Sequence, residues 1–399
     1  MNRPEGIDSI TRVVNRSAEA DDMKLSKEEV ISLRRQYSGL YTYSASKCKI
    51  CGATFKGNNP SETCLSHSIP QFALKTLGNR LKDINAFIQN PLDSDETGLK
   101  RAGTFKLICS KCDNTKFAEY EDPNIYDDLF CESSKLQIIL NEIVMKNSLY
   151  SLYIHLLDYK YYKDELSKIP SEAAIKLFTD PLLSSSLLDE RKMAEERFTV
   201  EQADVKDCEQ EFKKKTLSLR KELLNKIPLE SWNLSYFHIF DRQFPIAAQA
   251  KVTLSTDCWG NKICDTTKLN AEIKCLHICI FPFKEKTAVL VISKMDDNVE
   301  ETINCLKSIS DDEAAKALIA LIMNGSRAFY FDQKTPQEIF NNAYLRALAG
   351  NEDESLCYIS SDHPIEDEVA KEIVQESALQ STPLLLADYQ RIPDYVIGK

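Results

Sequence analysis

Two Cys-x-x-Cys pairs, Cys48-Lys49-Ile50-Cys51 and Cys109-Ser110-Lys111-Cys112, are the residues of this chain whose type and spacing specify chemistry most narrowly. Two intervening residues let one tight turn aim both sulfurs at a single ion. Two such turns supply the four soft thiolates of a closed tetrahedral zinc site. Gly52, directly after Cys51, suits a knuckle whose backbone must run close to the metal at positive φ. The alternative is one redox pair plus a second pair by chance, but no βαβ pattern surrounds either pair. Between the pairs lies His67, the one histidine of five in this segment. Asp113 and Asn114 follow the second pair.

In this order the motifs resemble the zinc-bound, treble-clef form of the HNH (His-Me finger) endonuclease superfamily. The shared plan is Cys-x-x-Cys, a strand ending in His before an apolar residue and Pro, a second Cys-x-x-Cys, and a helix beginning with Asn or His. Here these are Cys48/Cys51, His67 with Ile69-Pro70, Cys109/Cys112, and Asp113-Asn114 with Lys116. The resemblance covers roughly residues 45–123. It implies a zinc-stapled ββα unit in which His67 is the general base on water attacking phosphorus. A separate divalent ion, usually Mg²⁺, held through Asp113 or Asn114, would stabilise the leaving oxygen. It also implies nucleic acid, DNA first, as substrate, and a bacterial restriction or anti-phage setting. Three positions depart from the pattern: Ser66 stands where an acidic ligand usually precedes the His, Gly103-Thr104-Phe105 stands where a middle Asn is expected, and Asp113 takes the place of His or Asn. Glu119 and Glu121 read equally well as substitute ligands or as solvated helix residues.

The whole-chain figures bound this reading. The chain has 399 residues, 43% of them hydrophobic, 13 cysteines and a formal charge of −11. The length points to two or three domains, and the hydrophobic and aromatic content excludes global disorder. No apolar run is long enough to span a bilayer and the first residues lack the apolar core of a secretory signal, so the expectation is a cytoplasmic protein with no membrane contact. In that compartment the nine cysteines outside the two pairs read as ordinary thiols. The acidic average hides a local excess. Arg34–Lys116 holds thirteen basic residues against six acidic ones, a charge of +7 that leaves −18 for the remainder. A basic face on the module is what phosphate contacts require.

The elements that must position these residues follow from periodicity. The sequence predicts an α+β chain: an N-terminal extension (1–44) with a helix at Leu25–Tyr37, the zinc-stapled ββα module (45–123) with a solvated loop at 91–98, a helical region (124–227), an α+β domain (228–350), and a C-terminal helix and tail (351–399). In the helical region Leu136, Ile139, Leu140, Ile143 and Val144 form one apolar stripe, continued by Tyr150, Tyr153, Ile154 and Leu157. A second helix, Val200–Lys226, repeats apolar residues every seven positions and is expected to pack on the first rather than to form a coiled coil. Ile273–Phe283 and Thr287–Lys294 read as a β-hairpin and Ala247–Leu254 as a further strand. Helices are expected at Asn298–Ile309, Asp311–Met323 and Pro336–Ala349. Tyr159, Tyr161 and Tyr162 with Lys160 and Lys163 fit a partly buried helix face better than a base-stacking platform, and His277 reads as a core or edge histidine. Residues 124–350 are the expected surface for a protein partner or a second copy.

Three functions fit these observations: an HNH-type metal-dependent endonuclease, a non-catalytic zinc-finger protein binding nucleic acid or protein, and a scaffold whose zinc module is purely structural.

Overall fold

A computed structural model of the chain describes residues 43–55, 64–83, 96–127, 133–168, 232–254, 274–294, 299–350 and 386–399, helical positions scattered between 188 and 210, and residues 256, 257, 261 and 263. The helix read at Leu25–Tyr37 and the one read in the C-terminal segment, roughly 365–379, lie outside the described residues. So does most of Val200–Lys226, although positions 202, 203, 205, 206 and 210 are helical. No described helix is long and apolar enough to cross a membrane.

The fold is mixed α+β, built on a seven-stranded antiparallel sheet. Its strands are β2 (Arg80–Lys82), β3 (Glu96–Gly98), β5 (Trp232–Phe240), β6 (Ile246–Thr253), β7 (Cys275–Phe283), β8 (Lys286–Lys294) and β9 (Phe329–Asp332), in the order β3-β2-β9-β6-β7-β8-β5. A separate two-residue pair joins β1 (Ser66–His67) to β4 (Thr104–Phe105). The expected hairpin is β7–β8, closed by a two-residue turn with Phe283 opposite Lys286. Its central strands are apolar at nearly every position because both faces of the sheet are covered. Successive residues therefore enter different cores: Ile278, Ile280, Val289 and Val291 face one side, and Cys279, Phe281, Leu290 and Ile292 the other.

The first core is closed by α4 (Glu300–Ser308), α5 (Asp311–Gly325), α7 (Ala343–Gly350) and the C-terminal residues Val396 and Ile397. A capping box between Ser310 and Glu313 starts α5, as the acidic run 311–313 predicts. The second core lies between the sheet, the helices α1 (Gln71–Leu77) and α2 (Ser110–Lys116), and a 36-residue helix α3 (Ser133–Lys168). The stripe read from Leu136 to Leu157 is only part of what α3 buries: residues 143–149 are buried all round, and Leu152 and Leu156, off the stripe, are buried as well. The following helical segment packs on α3, with Phe198 stacked 5.2 Å from Tyr159, so Tyr159 belongs to a helix contact. His277 is buried, and its Nδ1 lies 3.1 Å from Asn147 of α3.

Several expectations are corrected. The loop at 91–98 ends in β3, which pairs Glu96, Thr97 and Gly98 with Lys82, Leu81 and Arg80. Its polar composition hid it because an edge strand needs little apolar content. Leu81 and Lys82 of β2 pair in turn with Asp332 and Phe331 of β9, so module residues form the edge of the sheet that 228–350 supplies. A boundary near residue 123 therefore does not separate two sheets. Pro336–Ala349 is two helices, α6 (Gln337–Phe340) and α7. Asn342 breaks the run by accepting the backbone N–H of Tyr344 and Leu345. Cys305, expected as a free thiol, is disulfide-bonded.

Candidate metal centre and the cationic face around His67

The first Cys-x-x-Cys sits in a knuckle. Cys48 donates its N–H to Ala53 O, Gly52 donates to Cys48 O, and Lys47 pairs with Thr54 to close the loop. Gly52 has φ 76°, the left-handed conformation its position predicts. The second pair opens α2, with Cys109 as N-cap and Asp113 N donating to Cys109 O. Backbone bonds Ala45 N to Lys106 O and Lys49 N to Leu107 O hold the knuckle against that helix start. The four Sγ atoms consequently lie within 4.8 Å of one another, with Cys51 and Cys109 at 3.9 Å. Tetrahedral zinc–thiolate bonds of about 2.3 Å place sulfurs roughly 3.8 Å apart, so the group is close to the dimensions of a zinc site. The N–H of Cys109 donates to Cys48 Sγ, the type of contact that orients a thiolate. Burial pushes the Cys48 and Cys112 thiols up, so zinc uptake at neutral pH releases protons.

His67 ends β1, opposite Thr104, and is 8% exposed. Its Nε2 lies 3.1 Å from the carbonyl oxygen of Leu99, and its Nδ1 lies 3.3 Å from Gln71 Nε2. A carbonyl only accepts, so Nε2 carries the proton and Nδ1 presents its lone pair to Gln71, an exposed side chain at the start of α1. Burial lowers the His67 pKa, which favours the neutral ring; the Leu99 carbonyl works in the opposite direction. Four exposed cations lie on the segments next to this ring. Lys75 lies one turn along α1 from Gln71, and its charge reaches His67. Arg80 pairs with Gly98, and Leu99 N donates to Asn79 O, which brings the Lys100-Arg101 turn beside Arg80.

Asp113 and Ser66 meet on the opposite side of β1. Ser66 Oγ donates to Asp113 Oδ1 at 2.6 Å. Between them stands a residue that sequence reasoning missed: Lys146 of α3, 0% exposed, with Nζ at 2.7 Å from Asp113, 2.9 Å from Ser66 and 3.4 Å from Glu121. The ammonium also lies 4.0 Å from the centre of the Phe117 ring. Burial alone would raise the Asp113 carboxyl, but the Lys146 charge and the bonds from Lys146 and Ser66 hold it below its usual value. Burial raises Glu121, with Lys146 opposing. The signal was a lysine at helical spacing from Ile139 and Ile143, on a stripe that is otherwise apolar.

The residues named from sequence thus fall into three places. Cys48, Cys51, Cys109 and Cys112 come together. His67 and Asp113 flank β1 but engage different partners, and Asn114 is exposed. Of the substitute ligands, Glu121 meets Lys146 while Glu119 is exposed. Gly103, where a middle Asn was expected, has φ 59°, and a Cβ there would come within 2.6 Å of Ser68 Oγ. Its N–H donates to the buried Tyr330 hydroxyl of β9 at 2.6 Å. Among the described residues, the four cysteines are the one group of three or more His, Cys, Asp or Glu side chains placed to hold a metal.

Compared with known proteins, the chain matches no family model, no curated sequence and no solved structure.

Proposed function

We propose that residues 43–127 are a zinc-stapled module that binds nucleic acid, DNA in the first instance, through the cationic face around His67. The observation that carries this reading is that four exposed cations, Lys75, Arg80, Lys100 and Arg101, lie on α1 and the β2–β3 segment, the elements next to His67, where Lys75 acts on the ring and Leu99, bonded to it, directly precedes Lys100. They come from three local features: a helix end (Lys75), a strand (Arg80) and one turn (Lys100 and Arg101). Such a face suits a phosphate backbone, for which affinity comes from cations and falls steeply with salt. The test is fluorescence anisotropy with duplex and single-stranded oligonucleotides from 50 to 200 mM salt. Binding is expected, and the double substitution Lys100→Ala/Arg101→Ala should flatten the log–log salt slope by about two. Affinity that ignores both salt and this substitution would sink the reading.

A second reading, phosphodiester hydrolysis of HNH type, has its own supporting observation. The Leu99 carbonyl fixes His67 in the Nε2–H tautomer, leaving Nδ1 as an unprotonated base that faces the exposed Gln71 side chain. The catalytic Mg²⁺ of that reading does not fit the side chains present, because Lys146 takes up the oxygens of Ser66, Asp113 and Glu121. Plasmid nicking that is abolished by His67→Ala would favour hydrolysis. Binding with no nicking, unaffected by His67→Ala but lost with Cys109→Ser, leaves the module as a binding unit.

A further inference from the structure

A fully buried ammonium is expensive, and a fold that keeps one must return its hydration with fixed oxygens. Lys146 receives that return in full. Its three N–H groups face three oxygens from three elements: Ser66 of β1, Asp113 of α2, and Glu121 of the segment after α2. The Phe117 ring covers the remaining side. Two of these oxygens also bind one another, Ser66 to Asp113, so the cluster is a preformed oxygen cage rather than a chance ion pair. Carboxylates and a hydroxyl converging on one point form the donor set that hard divalent cations choose. The cage differs from a metal site in one respect: its cation is covalently attached to α3.

We infer that Lys146 is a built-in replacement for a divalent cation, which keeps Mg²⁺ and Mn²⁺ out of the Ser66–Asp113–Glu121 cage in the native protein and leaves a latent divalent site when its ammonium is removed. A single positive charge at 2.7–3.4 Å is tolerated by the cage without free metal in solution. A second cation would compete with the ammonium for the same oxygens and be repelled by it at short range, although the Asp113 and Glu121 side chains are 20% and 36% exposed. The attachment also makes the cage a joint. Lys146 ties α3 to both β1 and α2, so the long helix that reaches the large sheet is anchored in the zinc module by the same contact that closes the cage. Phosphate charge at the neighbouring His67 is therefore met by the exposed cations of the rim and not by a divalent ion.

The experiment uses the full chain loaded with zinc, with Mn²⁺ as the probe followed by electron paramagnetic resonance and by thermal melting. It contains no nucleic acid, so its failure is distinguishable from failure of the binding reading. Wild type is expected to bind no Mn²⁺ at millimolar concentration and to melt at the same temperature with and without it. Lys146→Ala should melt lower, bind one Mn²⁺ per chain, and recover a large part of the lost melting temperature as Mn²⁺ is added. Lys146→Ala/Asp113→Asn should lose that Mn²⁺. If Lys146→Ala does not fold alone, refolding in the presence of Mn²⁺ should rescue it. The inference is overturned by Mn²⁺ bound to wild type and released by Asp113→Asn. It is equally overturned if Lys146→Ala binds no Mn²⁺, or stays unfolded with and without Mn²⁺.

Discussion

Two polar clusters less than one helix apart in the same module solve the problem of buried charge in opposite ways. At the start of α2, Cys109 and Cys112 join Cys48 and Cys51 in a group that has no cation of its own and is dimensioned for zinc. One residue further along, Asp113 joins Ser66 and Glu121 around a cation that the chain itself supplies, Lys146. The soft cluster could hold a metal taken from solution. The hard cluster depends on a helix arriving from elsewhere in the sequence. The same seven-residue helix serves both, which teaches that a resemblance in spacing identifies the frame, while the charge balance at each corner must be read from what fills it.

The sharpest way to break this comparison is to remove the external cation. Metal analysis should return one zinc per chain, and Cys109→Ser or strong chelation should unfold the module. The expected loss is the largest of the set because apparent zinc-binding energy at such sites, on the order of 10 kcal/mol, is also folding energy. Thermal melting checks it, and an unchanged melt would remove zinc from the fold altogether. Removing the internal cation should cost less. Lys146→Met leaves Asp113 buried without its partner and should destabilise by about 3–5 kcal/mol in chemical denaturation. Adding Asp113→Asn should recover part of that loss, and the double-mutant cycle measures the coupling directly.

The smallest effect concerns Glu142, also on α3, which accepts the Tyr120 N–H at 3.0 Å. Burial, with Glu119 and Glu121 adding to it, pushes its carboxyl up to about 7, against 4.5 for the ordinary group. Between those values the folded chain holds a proton that the unfolded chain has released. Its contribution to stability is therefore present below about pH 4.5 and is lost as pH rises through 7. Glu142→Gln should flatten the stability–pH curve across that window. A curve unchanged by the substitution would show that Glu142 ionises as if exposed.

Much of the fold was legible where local pattern and tertiary role agree. The β7–β8 hairpin, β6, α4, α5 and the buried stripe of α3 all fall where periodicity and caps place them. The cysteine spacing likewise announced the four sulfurs, because a ligand turn is a local object. What escaped was non-local. β2, β3 and β9 are short, and β2 and β3 carry polar residues; they become strands through partners remote in sequence. Lys146 escaped for the same reason, since nothing near it in the chain states which oxygens will surround it. The cationic face was only half visible: composition gave its sign, but the adjacency of Arg80 to the Lys100-Arg101 turn depends on β2–β3 pairing.

Lys82 of the module pairs with Phe331, and the Tyr330 hydroxyl holds the N–H of Gly103. As the chain leaves the ribosome, the zinc knuckle, His67 and α2 all emerge long before β9 exists. Until then β2 has an open edge and Gly103 lacks its buried acceptor. Contacts this distant in sequence close late and slowly. The four sulfurs that could hold zinc need only residues up to Cys112, so they are complete before that edge closes. The last strand then gives β2 its second partner and Gly103 its buried acceptor only on a chain synthesised past residue 332.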